Sequence, residues 1–594
     1  MSEKWDLEAD VVVIGSGATG LPAAIRARDQ GASVIVVEAN YDIGGHAIIN
    51  GGNVPLGGGT SAQKKYGIVD SPDLIFQDLT DWSIVESNGM PEYRYNDRAV
   101  QRALADNCAP TYEFLVANGA IFEDAPPDVR GEHAVGLSAP RANHTTWDGG
   151  QCLESPGGSP GTSLMRPLEA SARAKGVQFL LNYHMDSIVR ETPISGRVLG
   201  IKARYTPTIL PGTSIPLKSF ASQGNIDMTS TNVNIKATKA VIIGTGGHTS
   251  NVNFRRIFDP RLTEEFQVAG EPYSYQDASG ELAAMAIGAS IWGTANQTFE
   301  RNGAIRKRNR IGSQYTYTKF GPDSPIFPLS RAIGLALDNW QNVICVNQVG
   351  KRFYDETAGN WPMGTRCGDI DPYIPGHYLN YNKIKKANLA DIALTMDMSG
   401  ATPEFDEDIA NRESDWIDAA LAMNEGSTAP DFGGGPIWAI FDSDAVTRLG
   451  WVLDPPNTDP EYFFSGDTIA QLAQNIKGPY QNIPMNAANL EATVARYNSF
   501  VDTGMDVDFG KPTPLYKIEI PPFYAAWASP VVHDAYAGLR INMQCQVLDM
   551  NGEVIPSLYC GGESAAGCSQ HGVGRCLTQG YIAGKHAAGL TPWD

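Results

Sequence analysis

The first strongly patterned stretch of the chain is the apolar run Val11 to Ile14, which predicts a short strand buried on both faces. Gly15-Ser-Gly-Ala-Thr-Gly20 follows, and from Leu21 to Gln30 alanines and apolar residues recur at helical spacing until Gly31. Ser33 to Val37 predicts a second buried strand, closed by Glu38. Strand, glycine turn, helix and strand make a βαβ unit, the opening of a doubly wound sheet. Farther on, Lys239 to Ile243 reads as a strand running into Gly244-Thr-Gly-Gly-His248, and Glu281 to Ala289 as a helix after Asp277-Ala-Ser-Gly280. Residues 206–235, rich in Thr, Ser, Pro and Asn with little period, read as an extended excursion between strands. From about 290 to 515 the texture changes to Pro, Trp and Tyr with short mixed elements, the mark of a separate cap. The tail returns to strand, glycine turn and helix: Ser557 to Cys560, Gly561-Gly-Glu563, then Leu577 to Ala588.

With 62 glycines in the chain, the GxGxxG of Gly15, Gly17 and Gly20 carries little by itself. Its context carries more, because it follows a strand, opens a helix and meets an acid at the end of the next strand. Gly15 permits the tight turn, Gly17 lets the backbone approach a pyrophosphate, and Gly20 lets helix and strand close-pack. The helix start, with Ala18 and Thr19, offers free N–H groups and a positive dipole end to phosphates. Glu38, with Ala39 behind it, is placed to accept hydrogen bonds from ribose hydroxyls. Glycine clusters then follow at Gly44-Gly45, before His46, at Gly51-Gly52 and at Gly57-Gly58-Gly59. They let backbone lie along a larger cofactor than a nicotinamide dinucleotide, so FAD is the expected cofactor.

Composition narrows the field without pointing further. A chain of 594 residues exceeds one core and calls for two domains. The formal charge of −21 speaks against nucleic acid or an anionic membrane as partner, and solubility is its simplest meaning. No apolar run reaches the ~18 residues of a membrane span, and the polar start of the chain lacks the pattern of a signal peptide. Eight cysteines include no CxxC pair, and Cys560, Cys568 and Cys576 recur without metal-ligand spacing, so no metal site is expected. Reduced cysteines in a cytoplasmic protein are the default.

Several separated motifs resemble the fumarate reductase/succinate dehydrogenase flavoprotein superfamily, with its 3-ketosteroid dehydrogenase branch. They are Val13 to Gly20, Glu38 with Gly44-Gly45, Gly244-Thr-Gly-Gly247, Asp277 to Ala289, Gly350-Lys-Arg-Phe-Tyr-Asp-Glu356, Tyr536 to Asn542, Gly561 to Gly567 and Gly572 to Gly584, in family order over nearly the whole chain. The resemblance implies an α/β fold: a Rossmann-type FAD-binding domain split between both chain segments, 1–290 and 515–594, with an inserted α+β cap, 291–514. It also implies that Thr245, Gly246, Asp277, Gly562 and Glu563 join the cofactor site, Glu563 at the ribityl chain, and that Arg575-Cys-Leu577 sets N–H groups at the flavin N1/O2 edge. A covalent link to flavin at His46 is the less favoured alternative to simple packing.

The departures matter as much. The acid-catalyst arginine of fumarate reductases falls near Asn360, with Arg366 the nearest substitute, and residues 294–300 lack the family's histidine. A dicarboxylate clamped at both ends is therefore not expected, and fumarate should be a poor substrate. Arg575, His533, Tyr536 and His571 are the catalytic candidates, with Tyr536 the group that would polarise a carbonyl. Asp534 reads as a loop cap, the run Lys307, Arg308 and Arg310 as solvated surface, and Tyr315 and Tyr317 as possible walls of a pocket. The expected activity is FAD-dependent desaturation or reduction of a C–C bond next to a carbonyl, on a small enone, ketone or enoate, with the electron acceptor unidentified. The alternatives are oxidation of an alcohol or amine carbon, and a flavin-binding redox sensor without turnover.

Overall fold

The computed structural model describes residues 4–80, 97–129, 136, 138–146, 160–228, 230–258, 262–292, 305–306, 308–315, 320–353, 355–357, 436–532, 535, 537–568 and 572–593. The apolar run at the start forms strand β1 (Leu7–Ile14), with Val11 to Ile14 at most 3% exposed. Helix α1 (Gly20–Asp29) and strand β2 (Val34–Glu38) complete the unit, and β2 pairs with β1 in parallel. The parallel sheet continues past β2 with Gln178–Leu181. On the other side of β1 lie Asn232–Ile243 and then Val554–Cys560, also parallel. Gln546–Leu548 closes that edge antiparallel. A strand from the far end of the sequence thus sits inside a sheet begun by the first residues. From the same Asn232–Ile243 strand an antiparallel layer branches off, made of Val198–Tyr205 and Tyr183–Arg190.

The helix Val573–Ala588 lies against α1. Gly580 and Gly584 share one face of it by their four-residue spacing. A side chain at Gly580 would overlap the Thr19 carbonyl, and one at Gly584 the Ala23 carbonyl. Two missing side chains therefore set how closely the C-terminal helix grips the glycine-turn helix. The described residues between 206 and 231 are mostly irregular, whereas 232–235, expected in the same excursion, already belong to the strand Asn232–Ile243; the helix expected at Glu281–Ala289 runs from Ser279 to Met285.

The cap has a sheet and cores of its own. Ile344–Val346, Trp438–Asp442, Phe523–Trp527 and Phe463–Gly466 pair antiparallel in that order. Ala439 and Phe441 pack on one face with Leu335 and Trp340, while Trp438 and Ile440 pack on the other with Leu472, Leu490 and Val494. Helices Ile469–Asn475 and Ala487–Thr503 cover the second face. Phe523–Trp527 belongs to this sheet by its pairing with Trp438–Asp442, although it lies past the domain boundary expected at 515.

A buried ion cluster closes the cap at the Gly350–Glu356 motif. Arg352 donates to both carboxylate oxygens of Glu356, at 2.7 and 2.8 Å, and its third nitrogen stands 2.7 Å from Asp506. Lys511 reaches Glu356 at 3.2 Å and donates to the carbonyls of Trp340 and Val343. Arg308 corrects the expectation of a solvated basic run. It is 1% exposed and donates to the carbonyls of Ser529, Ser313 and Gln314, and burial lowers its guanidinium to about 9. Arg310 is half-buried and donates to the Gly334 carbonyl, and Lys307 lies outside the described residues. No helix among the described residues is long and apolar enough to cross a membrane.

Candidate cofactor and active site

A cleft of about 810 Å³ opens where β1 and Asn232–Ile243 end, the crevice at which open α/β sheets bind ligands. Its floor is the glycine turn. Gly15 has φ +88°, which a side chain tolerates poorly, and a side chain at Gly20 would overlap the Gly15 carbonyl. These two glycines are required by the protein's own packing. Gly17 is different: the nearest atom to a Cβ there is 3.8 Å away, so the space in front of it belongs to the cleft. Thr19 caps α1 with no side-chain hydrogen bond; in the first turn Leu21 and Ala23 donate to the carbonyls of Gly17 and Thr19, and Pro22 has no N–H. Among the described residues no Lys or Arg lines the cleft.

Glu38 lies on the cleft wall and is 8% exposed. Its Oε2 accepts from the Ser16 amide at 2.8 Å and hydroxyl at 2.6 Å, and its Oε1 from the Asn40 amide at 2.8 Å. Burial pushes its carboxyl up against the pull of these bonds. Asn40 donates to the Tyr273 carbonyl at 2.7 Å and the Tyr273 hydroxyl to the Ile43 carbonyl at 2.8 Å, which ties the 272–277 wall to the segment after β2.

The far wall is assembled from three distant motifs by one glutamine. Gln276 donates to the Gly246 carbonyl at 2.8 Å and to Glu563 Oε2 at 2.9 Å. Ser564 adds a hydroxyl contact to Thr245 at 2.8 Å and accepts from the Gly247 amide at 3.0 Å. Asp277 sits next to Gln276 at the rim, where burial works against its charge but His184 and Ser279 hold its carboxyl below the ordinary value. At the other end the helix Val573–Ala588 enters the cleft through Val573 and Cys576, with Gly572 as an N-cap that offers no side-chain bond.

Of the expected cofactor residues, Gly15, Gly17, Ala18, Thr19, Glu38, Ala39, Gly45, His46, Gly51, Thr245, Gly246, Asp277 and Glu563 line the cleft. Gly20, Gly44, Gly52, Gly562 and Leu577 stand behind the lining. Gly57 to Gly59 are not on the cleft either; a side chain at Gly57 would overlap Arg141, a buried arginine paired with Asp70 at 2.8 Å and Asp78 at 2.5 Å. That glycine cluster serves an ion pair and not a cofactor surface.

Arg575 departs from the expectation most. It is 2% exposed, does not line the cleft, and donates to the carbonyls of Cys568 at 3.0 Å, Gly562 at 2.5 Å and Ala565 at 3.2 Å. Its charge is spent on holding the 562–568 loop. His533, Asp534, Tyr536, His571, Tyr317, Asn360 and Arg366 lie outside the described residues. Tyr315 is half-buried and hydrogen-bonds Tyr275 on the cleft wall.

Residues that sequence reasoning missed are Gln276, His184 and the wall contributed by Thr206, Thr208 and Ile209 from the excursion. Gln276 had the signal of standing beside Asp277. His184 had that of sharing a strand face with Asp186, two positions on. The excursion had none.

The FAD binding domain family matches residues 10–303 and 339–576. Urocanate reductase of Eggerthella lenta is 24% identical over 591 residues, covering 98% of this chain and 75% of its own length. Fumarate reductase (cytochrome) of Shewanella frigidimarina is 25% identical over 589 residues, covering 98% and 77%. Among solved structures, 3-ketosteroid delta1-dehydrogenase from Sterolibacterium denitrificans matches with a TM-score of 0.58 at 19% identity, covering 98% of this chain and 99% of that one. A parallel sheet, an uncapped helix start behind Gly17 and an acid closing β2 are what such a cofactor requires, and this chain belongs to the FAD binding domain family, with FAD as its cofactor.

Proposed function

We propose that the protein transfers hydride between FAD and a carbon–carbon bond conjugated to a carbonyl or carboxyl group of a small molecule. The observation that carries this reading is the similarity, over 98% of this chain, to two reductases whose named substrates, urocanate and fumarate, both hold a double bond conjugated to a carboxylate. Bound FAD supplies the hydride donor or acceptor at its N5. The chain's residues divide the remaining work. The start of α1 holds the pyrophosphate, Glu38 the ribose, and Glu563, set by Gln276, the ribityl chain. The start of Val573–Ala588 would present N–H groups to the flavin ring, the kind of fixed donor that dominates many rate enhancements. Arg575 serves this edge indirectly, by fixing the loop that carries Gly562 to Cys568. His533, Tyr536 and His571 are the proposed groups that polarise the carbonyl and exchange the proton. Six free cysteines among the described residues support a cytoplasmic place of action.

The test is re-oxidation of the anaerobically reduced holoenzyme by a panel of enones and enoates, followed by flavin absorbance in a stopped-flow instrument. Rapid re-oxidation by one class, with fumarate slow, is the expected result. Reduction of the oxidised flavin by alcohols or amines, with every enone and enoate inert, would sink the reading.

A further inference from the structure

The strand Tyr183–Arg190 places His184 and Asp186 on one face, at the edge of the cofactor cleft. His184 Nδ1 is 2.9 Å from Asp186 Oδ1, and its Nε2 is 2.8 Å from Asp277 Oδ2. A carboxylate has no proton to give, so both bonds exist together only when both ring nitrogens carry hydrogen. The second oxygen of Asp277 accepts from the Ser279 amide at 2.9 Å, so the carboxylate is gripped from two sides while it lines the cleft. Behind it lies a smaller cavity of about 270 Å³, lined by His184, Asp186, Asp277, Leu282 and Ala286 among others. That cavity is room into which an unheld carboxylate can turn.

We propose that His184 is a positioning residue of the cofactor site: its imidazolium holds the Asp277 carboxylate at the cleft wall, and retention of FAD depends on that grip. The proposal rests on FAD as the cofactor and is indifferent to which bond the enzyme reduces. The charged groups around His184 are few. Asp186 stands on its own strand, and Arg204, paired across from it, reaches Asp186 at 3.4 Å. Lys202 lies farther along the same neighbouring strand, opposite Ser187. Asp277 comes from the segment opening the Ser279–Met285 helix, whose own Glu281 is turned to His248, and Glu38 ends β2 on the same cleft. The bond to Asp277 comes first in holding the imidazole above its ordinary value, with Asp186 adding to it and burial opposing. As pH rises through that raised value one N–H is lost, and one carboxylate then faces a lone pair. The grip is present at lower pH and lost at higher pH.

The experiment follows release of FAD from the purified holoenzyme on large dilution, read as free flavin fluorescence, from about pH 6 to about pH 9. Wild-type release is expected to accelerate by about tenfold across the range. His184→Gln should release quickly at every pH with no slope, because glutamine does not titrate. Asp186→Asn removes one of the two carboxylates favouring the proton, so its acceleration should begin at lower pH. A flat wild-type profile would overturn the proposal. A His184→Gln profile with the wild-type slope would do the same and assign the titration to another group, His46 being the next histidine on the cleft. An Asp186→Asn profile superimposable on wild type would also count against it. Flavin re-oxidation by enones fails or succeeds independently of all three.

Discussion

Three glycines of one turn answer to different demands, two to the protein's own packing and the third, in our proposal, to the ligand. Gly15 and Gly20 have neighbouring backbone where a Cβ would go, but at Gly17 the first atom is 3.8 Å off. Gly17→Leu is therefore expected to fold and to melt near the temperature of flavin-free wild type, yet to purify nearly colourless. The ratio of flavin to protein absorbance, beside a calorimetric scan, checks both halves; a yellow variant with full occupancy would remove the pyrophosphate from this turn. Spacing and chain order made the glycine turn, the helix and the acid that closes β2 legible as local structure, because all three lie within one short stretch. Arg575 was not legible. A sequence marks an arginine in a glycine-rich motif but not the three carbonyls that a folded loop turns inward on it. Gln276 carried only the signal of its neighbour Asp277, since its partners Gly246 and Glu563 come from other parts of the chain.

The pairing of α1 with Val573–Ala588 depends on backbone approaching backbone. Adding a β-branched side chain by Gly580→Val puts atoms onto the Thr19 carbonyl, and no rotamer relieves a Cβ clash. The expected cost is about 1–3 kcal/mol, as for other overpacked contacts, and the displaced α1 should lose flavin as well. Urea unfolding measures the first effect and flavin occupancy the second; full stability with full occupancy would mean the helices do not meet here. The β1–α1–β2 unit was legible because its two apolar runs are joined by a glycine turn and a periodic helix, so each element marks the next. The cap sheet was not, because strands such as Trp438–Asp442 are short apolar runs with no neighbouring motif, and their partners Ile344–Val346 and Phe523–Trp527 lie far away in the sequence. Its extent was missed accordingly, and Phe523–Trp527 fell on the wrong side of the expected boundary.

Across the whole molecule, two units with separate cores have separate vulnerabilities. The cap depends on Glu356: burial would raise its carboxyl, but Arg352 and Lys511 overcome this and hold it at about 2. A group with a depressed folded value stabilises fully above its unfolded value, about 4.3, and loses that contribution as pH falls through the folded one. The contribution is on the order of 3 kcal/mol, so the cap core should loosen between about pH 4 and pH 2. Glu356→Gln should abolish that acid step and lower stability at neutral pH, by about 3–5 kcal/mol for a broken buried pair. Tryptophan fluorescence of Trp438 and Trp527, both in the cap core, reports it; an acid transition unchanged in Glu356→Gln would place the step elsewhere. The split flavin domain has a different consequence, for the making of the protein. The strand Val554–Cys560, Glu563 and the helix that grips α1 are all translated hundreds of residues after the glycine turn. At about 5–20 residues per second, a nascent chain carries its glycine turn for many seconds before the other half of the cleft exists. The complete cleft therefore exists only once the last segment of the chain has been made.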